Sequence, residues 1–189
     1  VHKYTQSWFR LDQRYRKFIF HARESGQASL LQVLSQQVEN LYTNNFLSHL
    51  NVRWQQFVDT CQVWEAAPVA SQANFFERFV QPTLSRKGKV CVLISDAFRY
   101  EVGEELQSLI RREDRFDAEL NPALSCLPSY TQLGMASLLP HKTLQIVEDN
   151  SGEVVADGIS ATGTANRDRI LAQTVAASTA VLAKDVLAM

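Results

Sequence analysis

Residues 90 to 94, Val-Cys-Val-Leu-Ile, are apolar without a break and stand just ahead of an aspartate, Asp96. A continuous apolar run of this length fits a strand buried on both faces better than a half-exposed strand, which would alternate. Helical periodicity begins straight afterwards. The chain is therefore predicted to enter an α/β arrangement here, with Asp96 at the carboxyl end of a central strand. Open α/β sheets collect their ligands at that end. Asp96 is thus a candidate metal ligand, since a carboxylate is a hard oxygen donor. Its alternative role is the N-cap of the next helix. A phosphoaspartate enzyme would place a second aspartate two residues on, where Phe98 stands.

The 189 residues allow one ordinary domain or two small ones. A net charge of -1 supports neither a strongly cationic nucleic-acid binder nor an acidic tail. Cys61, Cys91 and Cys126 are odd in number and far apart, without paired ligand spacing. That argues against a disulfide framework or a structural zinc knot and suits a reducing compartment, here expected to be the cytoplasm. The most apolar late stretch, 175–189, carries Lys184 and Asp185, so no membrane span is expected. The chain starts at Val1, and a helical pattern runs to Met189 without a stop signal. An internal fragment of a longer protein is the expectation.

Residues 1–87 carry the helical period repeatedly and are predicted to form a helical subdomain packed on aromatic stripes. Its helices hold Trp8, Leu11, Tyr15, Phe18 and Ile19, then Leu30 to Leu41, then Trp54 to Trp64, then Phe75 to Val80 stopped by Pro82. The polar connector Arg86-Lys87-Gly88-Lys89 precedes the apolar run. Within 88–189, a helix is predicted over about 99–113, with glutamates early and arginines late as the helix dipole favours. Phe116–Leu120 reads as a second strand. Leu144–Val147 and Val154–Ala156 read as a hairpin turning through Asn150-Ser151-Gly152, and a closing helix begins near Asn166.

A second chemical candidate lies in Pro128-Ser129-Tyr130-Thr131-Gln132. Ser129 and Gln132 have capping-box spacing, which places Thr131 in the first turn of a helix, among free N–H groups that attract phosphate. A hydroxyl there is a weak nucleophile until a metal or base helps ionise it. The alternative is a Pro-Ser turn opening an ordinary helix. The run Asp157 to Thr164 lacks the phosphate-loop and dinucleotide glycine patterns and reads as a loop. Arg99 has two open roles, a phosphate contact or an ion pair with a helix acid. The four histidines share no metal-ligand spacing. The basic-aromatic stretch Arg10 to Arg23 reads as a solvated helix face, with nucleic acid the less favoured account.

Taken together, Ile94 to Glu101, Leu127 to Ala136, Leu138-Leu139-Pro140-His141 and Gly163 to Arg167 resemble the PglZ family, type A, of bacterial BREX phage-defence systems. Tyr15-Arg16-Lys17-Phe18 and Phe75-Phe76 fit as well, so the resemblance spans most of the chain. It implies the first part of an alkaline-phosphatase-like α/β core within a superfamily of metal-dependent phosphoryl and sulfuryl transfer enzymes. It assigns Asp96 to a metal, and Thr131 to the same metal and to the role of nucleophile. The superfamily completes a two-metal site, here expected to hold zinc or a similar divalent ion, with further Asp and His ligands downstream. No matching pair follows Thr131 in this chain.

The resulting expectation is a metal-dependent phosphohydrolase whose full-length form is active and whose fragment alone is inactive. Arg99 would hold phosphate oxygens. The implied partners are other BREX components, including a DNA methyltransferase, with DNA possible in the assembly and no membrane. The rivals are a nuclease or phosphodiesterase on the same scaffold, and a non-catalytic scaffold that docks defence-system partners.

Overall fold

The computed structural model describes residues 1–149 and 151–188, leaving aside the Ala28 side chain. In chain order the elements are α1 (Phe9–Glu24), α2 (Ala28–Asn40), α3 (Ser48–Thr60), β1 (Ala70–Ser71), α4 (Gln81–Ser85), α5 (Tyr100–Ile110), β2 (Ala123–Leu124), α6 (Thr131–Ser137), β3 (Leu144–Ile146), β4 (Val154–Ala156), β5 (Ile159–Ser160), α7 (Thr164–Thr174) and α8 (Ala183–Leu187). The mixture of helices with small sheets is an α/β arrangement in its coarse sense. Two compact units share the chain: Val1–Trp64 with Phe98–Pro122, and Glu65–Ala97 with Ala123–Met189. The change of sequence character at 87/88 falls inside the second unit.

The first unit is built on α1. Helices α2 and α3 run together through a π-helical stretch, Leu41–Leu47. That stretch turns Tyr42 and Phe46 onto α1, where Tyr42 stacks on Tyr15 with ring centroids 3.8 Å apart and Phe46 meets Trp8 edge-on at 6.2 Å. The predicted aromatic packing is present there. Further along, Trp54 packs on Phe57 and on Trp64, each at 5.7 Å, although Trp54, Phe57, Leu30 and Val33 are exposed.

Helix α5 docks on α1 through charge. The Glu101 side chain is fully buried and takes Arg16 Nε and Nη2 at 2.8–3.1 Å, with Arg99 Nη2 at 3.0 Å. Glu105 pairs with Arg16 and with Lys17, the latter at 2.8 Å. Tyr4 and Tyr42 both donate to Asp12. Burial first, and then the Asp12 carboxylate, push both phenols well above their ordinary range.

Several expectations are corrected here. Val90–Ile94 forms neither strand nor helix, and Val90, Val92, Leu93 and Ile94 are exposed. An apolar run specifies burial but not a partner, and among the described residues no neighbouring strand supplies the ladder. The same holds for Phe116–Leu120, whose Ala118 carbonyl is taken instead by Gln107 Nε2 and Arg111 Nε of α5. Gly103 of α5 eases this return, since a Cβ there would stand 3.0 Å from Leu120 Cδ1 and push that methyl aside. Pro82 does not stop its helix. It lies in the first turn of α4, where its missing N–H costs nothing, after a π-helical stretch over Phe76–Val80. The closing helix breaks at Val175, and Asp168 Oδ1 accepts from Ala180 N at 2.6 Å, folding the next segment back before α8. Met189 lies outside the described residues.

In the second unit, β1 and β2 pair in parallel, while β3, β4 and β5 form an antiparallel sheet in that order. The predicted hairpin pairs Leu144 with Ala156 and Ile146 with Val154; its turn residue Asn150 lies outside the described residues. The segment expected to be a loop after Ala156 holds a second, tighter hairpin. Asp157 and Gly158 are its two turn residues, with φ of 48° and 85°, the arrangement for which Asp-Gly is favoured. Leu133, Ala136, Leu139, Val154, Ala156, Ala161 and Ile170 form the core under α6 and this sheet.

Replacing Arg16 by Met should destabilise the first unit by about 2–4 kcal/mol in chemical denaturation, because Glu101 stays buried with half its partners gone. A second outcome concerns pH. Hydrogen bonds from Lys17 first, and then from Arg16, hold the Glu105 carboxyl below its ordinary value. Folded Glu105 then binds fewer protons than unfolded Glu105 between the two pKa values, so stability rises with pH through that window. Its contribution is complete above the ordinary value of 4.5 and is lost as pH falls through the lowered folded value. Denaturation between pH 5 and 3 should show a shallower pH slope for Glu105→Gln than for the parent chain.

Candidate functional site

Helix α6 carries the site. Its inner face, Leu133, Ala136 and Ser137 at helical spacing, is buried in the core of the second unit. Thr131 is its first residue and is exposed. The predicted Ser129 cap is not made. Tyr130 is the N-cap, in extended conformation and without a side-chain cap bond, so the helix starts one residue later than the capping-box spacing implies. Thr131 is in the first turn either way.

Asp96 follows the irregular segment that begins after Gly88. The chain turns sharply beyond it, with Ala97 at φ 53°, and Asp96 Oδ1 accepts from Ala97 N at 2.9 Å. This is a local turn contact and not the N-cap of α5, whose N-cap is Arg99. The turn presents both carboxylate oxygens to α6. Thr131 Oγ1 stands 3.4 Å from Asp96 Oδ1 and 3.4 Å from Oδ2. The two candidates, 35 residues apart in sequence, are therefore brought together.

That spacing is long for a hydroxyl–carboxylate hydrogen bond, which is usually about 2.5–3.0 Å. It suits a shared ion better. Two oxygens held by one tetrahedral zinc at about 2.0–2.2 Å lie roughly 3.3–3.6 Å from each other. The donor set is of hard oxygens, which suits a divalent ion. It is also small: among the described residues no group of three or more His, Cys, Asp and Glu side chains could hold a metal. Asp96 and Thr131 fit as part of such a site.

Arg99 lies in the first unit, its Nη2 engaged by Glu101 and its side chain 58% exposed. His141 Nδ1–H donates to the Leu139 carbonyl at 2.7 Å. Asp157 is occupied by the backbone N–H groups of Lys142 and Thr143 at 2.8–3.1 Å, which hold its carboxyl below the usual range.

One contact had no signal in the sequence. Gln72 Nε2 donates to the Gly134 carbonyl of α6 at 2.9 Å across 62 residues of chain. Nothing in local spacing marks a glutamine for such a contact. Its position follows from β1, which pairs Ser71 with Leu124 at the start of the segment leading into α6.

An exposed hydroxyl at a helix start thus faces an exposed carboxylate within a mixed α/β unit. The family described as the BREX system PglZ alkaline phosphatase-like domain matches residues 75–189, and the chain belongs to the PglZ family. The alkaline phosphatase-like protein BrxZ of Escherichia coli O9:H4 (strain HS) is 44% identical over 89% of this chain and 20% of its own length. The alkaline phosphatase-like protein PglZ of Bacillus cereus (strain H3081.97) is 36% identical over 98% of this chain and 22% of its own. The chain thus spans about a fifth of the curated relatives it matches. No solved structure matches it. No helix among the described residues is long and apolar enough to cross a membrane.

Thr131 is exposed and meets Asp96 only at the long 3.4 Å, so Thr131→Ala should change unfolding free energy by less than about 0.5 kcal/mol, whereas Asp96→Ala also loses the bond from Ala97 N and should cost about 0.5–1.5 kcal/mol. Leu133→Ala, which opens a cavity directly beneath, should cost about 2–4 kcal/mol by the same denaturation measurement.

Proposed function

We propose that the full-length protein is a metal-dependent phosphohydrolase of the alkaline phosphatase superfamily, working as a component of a BREX anti-phage system. The observation that carries this reading is the placement of the Thr131 hydroxyl opposite both oxygens of Asp96, at a distance suited to a shared divalent ion. Asp96 and Thr131 would hold a divalent ion, zinc by preference, within a two-metal site completed by residues outside this chain. Such an ion supplies charge that favours the ionised hydroxyl and offsets the charge developing on phosphate oxygens.

The chain's own part in the reaction is then simple. Thr131 Oγ1 gives up its proton to solvent and forms a bond to phosphorus as the ester P–O bond breaks. The departing oxygen takes a proton from water, and a second water later displaces Thr131. A contact from Arg99 to a phosphate oxygen belongs to this reading as well. The division into a helical subdomain, 1–87, and the N-terminal part of a catalytic domain, 88–189, belongs to this reading. So do a cytoplasmic location and the partners, namely other BREX components including a DNA methyltransferase, with DNA in the assembly.

With two donors and no further cluster among the described residues, this chain alone does not turn over. Cleavage of phosphodiesters, as by a nuclease, is the alternative reaction on the same scaffold. A docking scaffold is the alternative without chemistry, favoured by the exposed Leu30, Val33, Trp54 and Phe57.

The test is hydrolysis of an aryl phosphate monoester and an aryl phosphodiester by the full-length protein, with zinc and with a chelator. Turnover should require the ion, fall by at least about a thousandfold on Thr131→Ala, and survive Thr131→Ser in part. The favoured ester separates phosphatase from phosphodiesterase. Turnover indifferent to chelator or to Thr131→Ala would defeat the assignment, and none at all would leave the scaffold.

A further inference from the structure

Helix α6 has only two turns, and its core-facing residues fix which side is buried better than how far it is rotated or slid along its axis. Two side chains address its middle. The Gly134 carbonyl accepts from Ser137 Oγ at 2.8 Å within the helix and from Gln72 Nε2 at 2.9 Å from outside it. Gly134 is three residues beyond Thr131, so the two lie on neighbouring turns of one face.

Gln72 is itself held. β1 pairs Ala70 with Ala123 and Ser71 with Leu124, and Leu124 is buried. Ser71 Oγ then accepts from Ala73 N at 3.3 Å and caps the short 3₁₀ turn, Gln72–Asn74, that carries the glutamine. The loop from β2 into α6 and the Gln72 contact back onto α6 make a closed clamp. Its outer arm, residues 70–74, lies ahead of the stretch 75–189 that matches the family.

We propose that Gln72 is a positioning residue for the Thr131 hydroxyl: through the Gly134 carbonyl it fixes the rotation and depth of α6, and so the separation of Thr131 Oγ1 from Asp96. The proposal rests on the reading of Thr131 as nucleophile. Gln72 touches neither substrate nor metal, and its effect is geometric. A displacement of about 1 Å at a reacting atom can lower turnover roughly a hundredfold without altering binding. The unit that aligns the nucleophile therefore begins before the matched domain does.

The experiment uses the full-length protein with Gln72→Leu and Gln72→Glu, both of which keep the bulk and lose the donor. Ser137→Ala, which removes only the donor inside the helix, serves as comparison. Steady-state hydrolysis of an aryl phosphate in zinc should show kcat lowered about ten- to a hundredfold with KM unchanged for both Gln72 variants. Hydrogen exchange should show the α6 amides opening about tenfold more often, with the melting temperature of the whole protein held within a few degrees. Unchanged α6 exchange overturns the clamp, whatever the activity. Faster exchange with kcat within twofold of wild type overturns the positioning role. A loss of kcat that follows the loss of folded protein overturns it too. If the wild-type protein lacks zinc-dependent hydrolysis, the nucleophile reading fails and the proposal with it; the exchange result still shows whether the clamp itself was real.

Discussion

The site depends on a short helix that must bury one side and expose its first residue. Helix α6 meets both demands because Leu133, Ala136 and Ser137 fall on a single face, while Thr131 stands at the end of the helix in solvent. Seven residues are too few to be stable alone, since helix nucleation is costly and only a few bonds repay it. The helix is therefore made by what it packs on: Val154 and Ala156 of β4, with Leu139 just beyond its end. The sheet in turn is closed by the Asp157-Gly158 turn. A hydroxyl placed on such a support has its position set by tertiary packing, and the core under it is part of the site.

The first unit relies on a different kind of interaction. Its best-buried side chain is charged: Glu101, shared between Arg16 and Arg99. Desolvating a carboxylate is expensive, and pairing with two guanidinium groups offsets that cost without making the pair a large net source of stability. What it supplies is register. An apolar face tolerates sliding, whereas a bidentate contact at 2.8–3.1 Å allows α5 one rotation and one height on α1. The Gln13 contacts to the Glu101 carbonyl and to Glu104 reinforce the same alignment. This leaves α2 and α3 with exposed apolar residues, because the unit's specificity lies in the polar seam and not in a deep core.

How much of this was legible in the sequence follows from which forces are local. Helices α1, α5 and α7 and the hairpin of β3 with β4 were readable because periodicity and turn residues report on near neighbours. The Asp157-Gly158 turn carries as clear a signal, since Asp-Gly is a favoured pair for a two-residue hairpin turn. Asp96 and Thr131 were legible as candidates, and the structure sets them 3.4 Å apart. Their final placement was not legible, since it depends on Ala97 adopting a left-handed conformation and on α6 starting one residue late. Gln72 and the Arg16–Glu101 contact were invisible for a simpler reason: each joins residues more than sixty positions apart, and no spacing rule reaches that far.

The apolar run at 90–94 shows the same limit from the other side. Its composition is that of a central strand, yet a strand is defined by hydrogen bonds to its neighbours, and the described residues give it none. Backbone groups without partners must stay in water, so the segment is exposed although Val90, Val92, Leu93 and Ile94 favour burial. It is anchored only at its ends. The turn after α4 holds one end, with Gly88 pressed against Thr83 so closely that a Cβ would come within 2.8 Å of Thr83 Cγ2. Asp96, bonded to Ala97 N and facing Thr131, holds the other. The carboxylate is thus placed by its own turn and by α6, without the help of a ladder. A chain that positions its acid from one side in this way keeps the geometry of the pair while leaving both edges of the segment open.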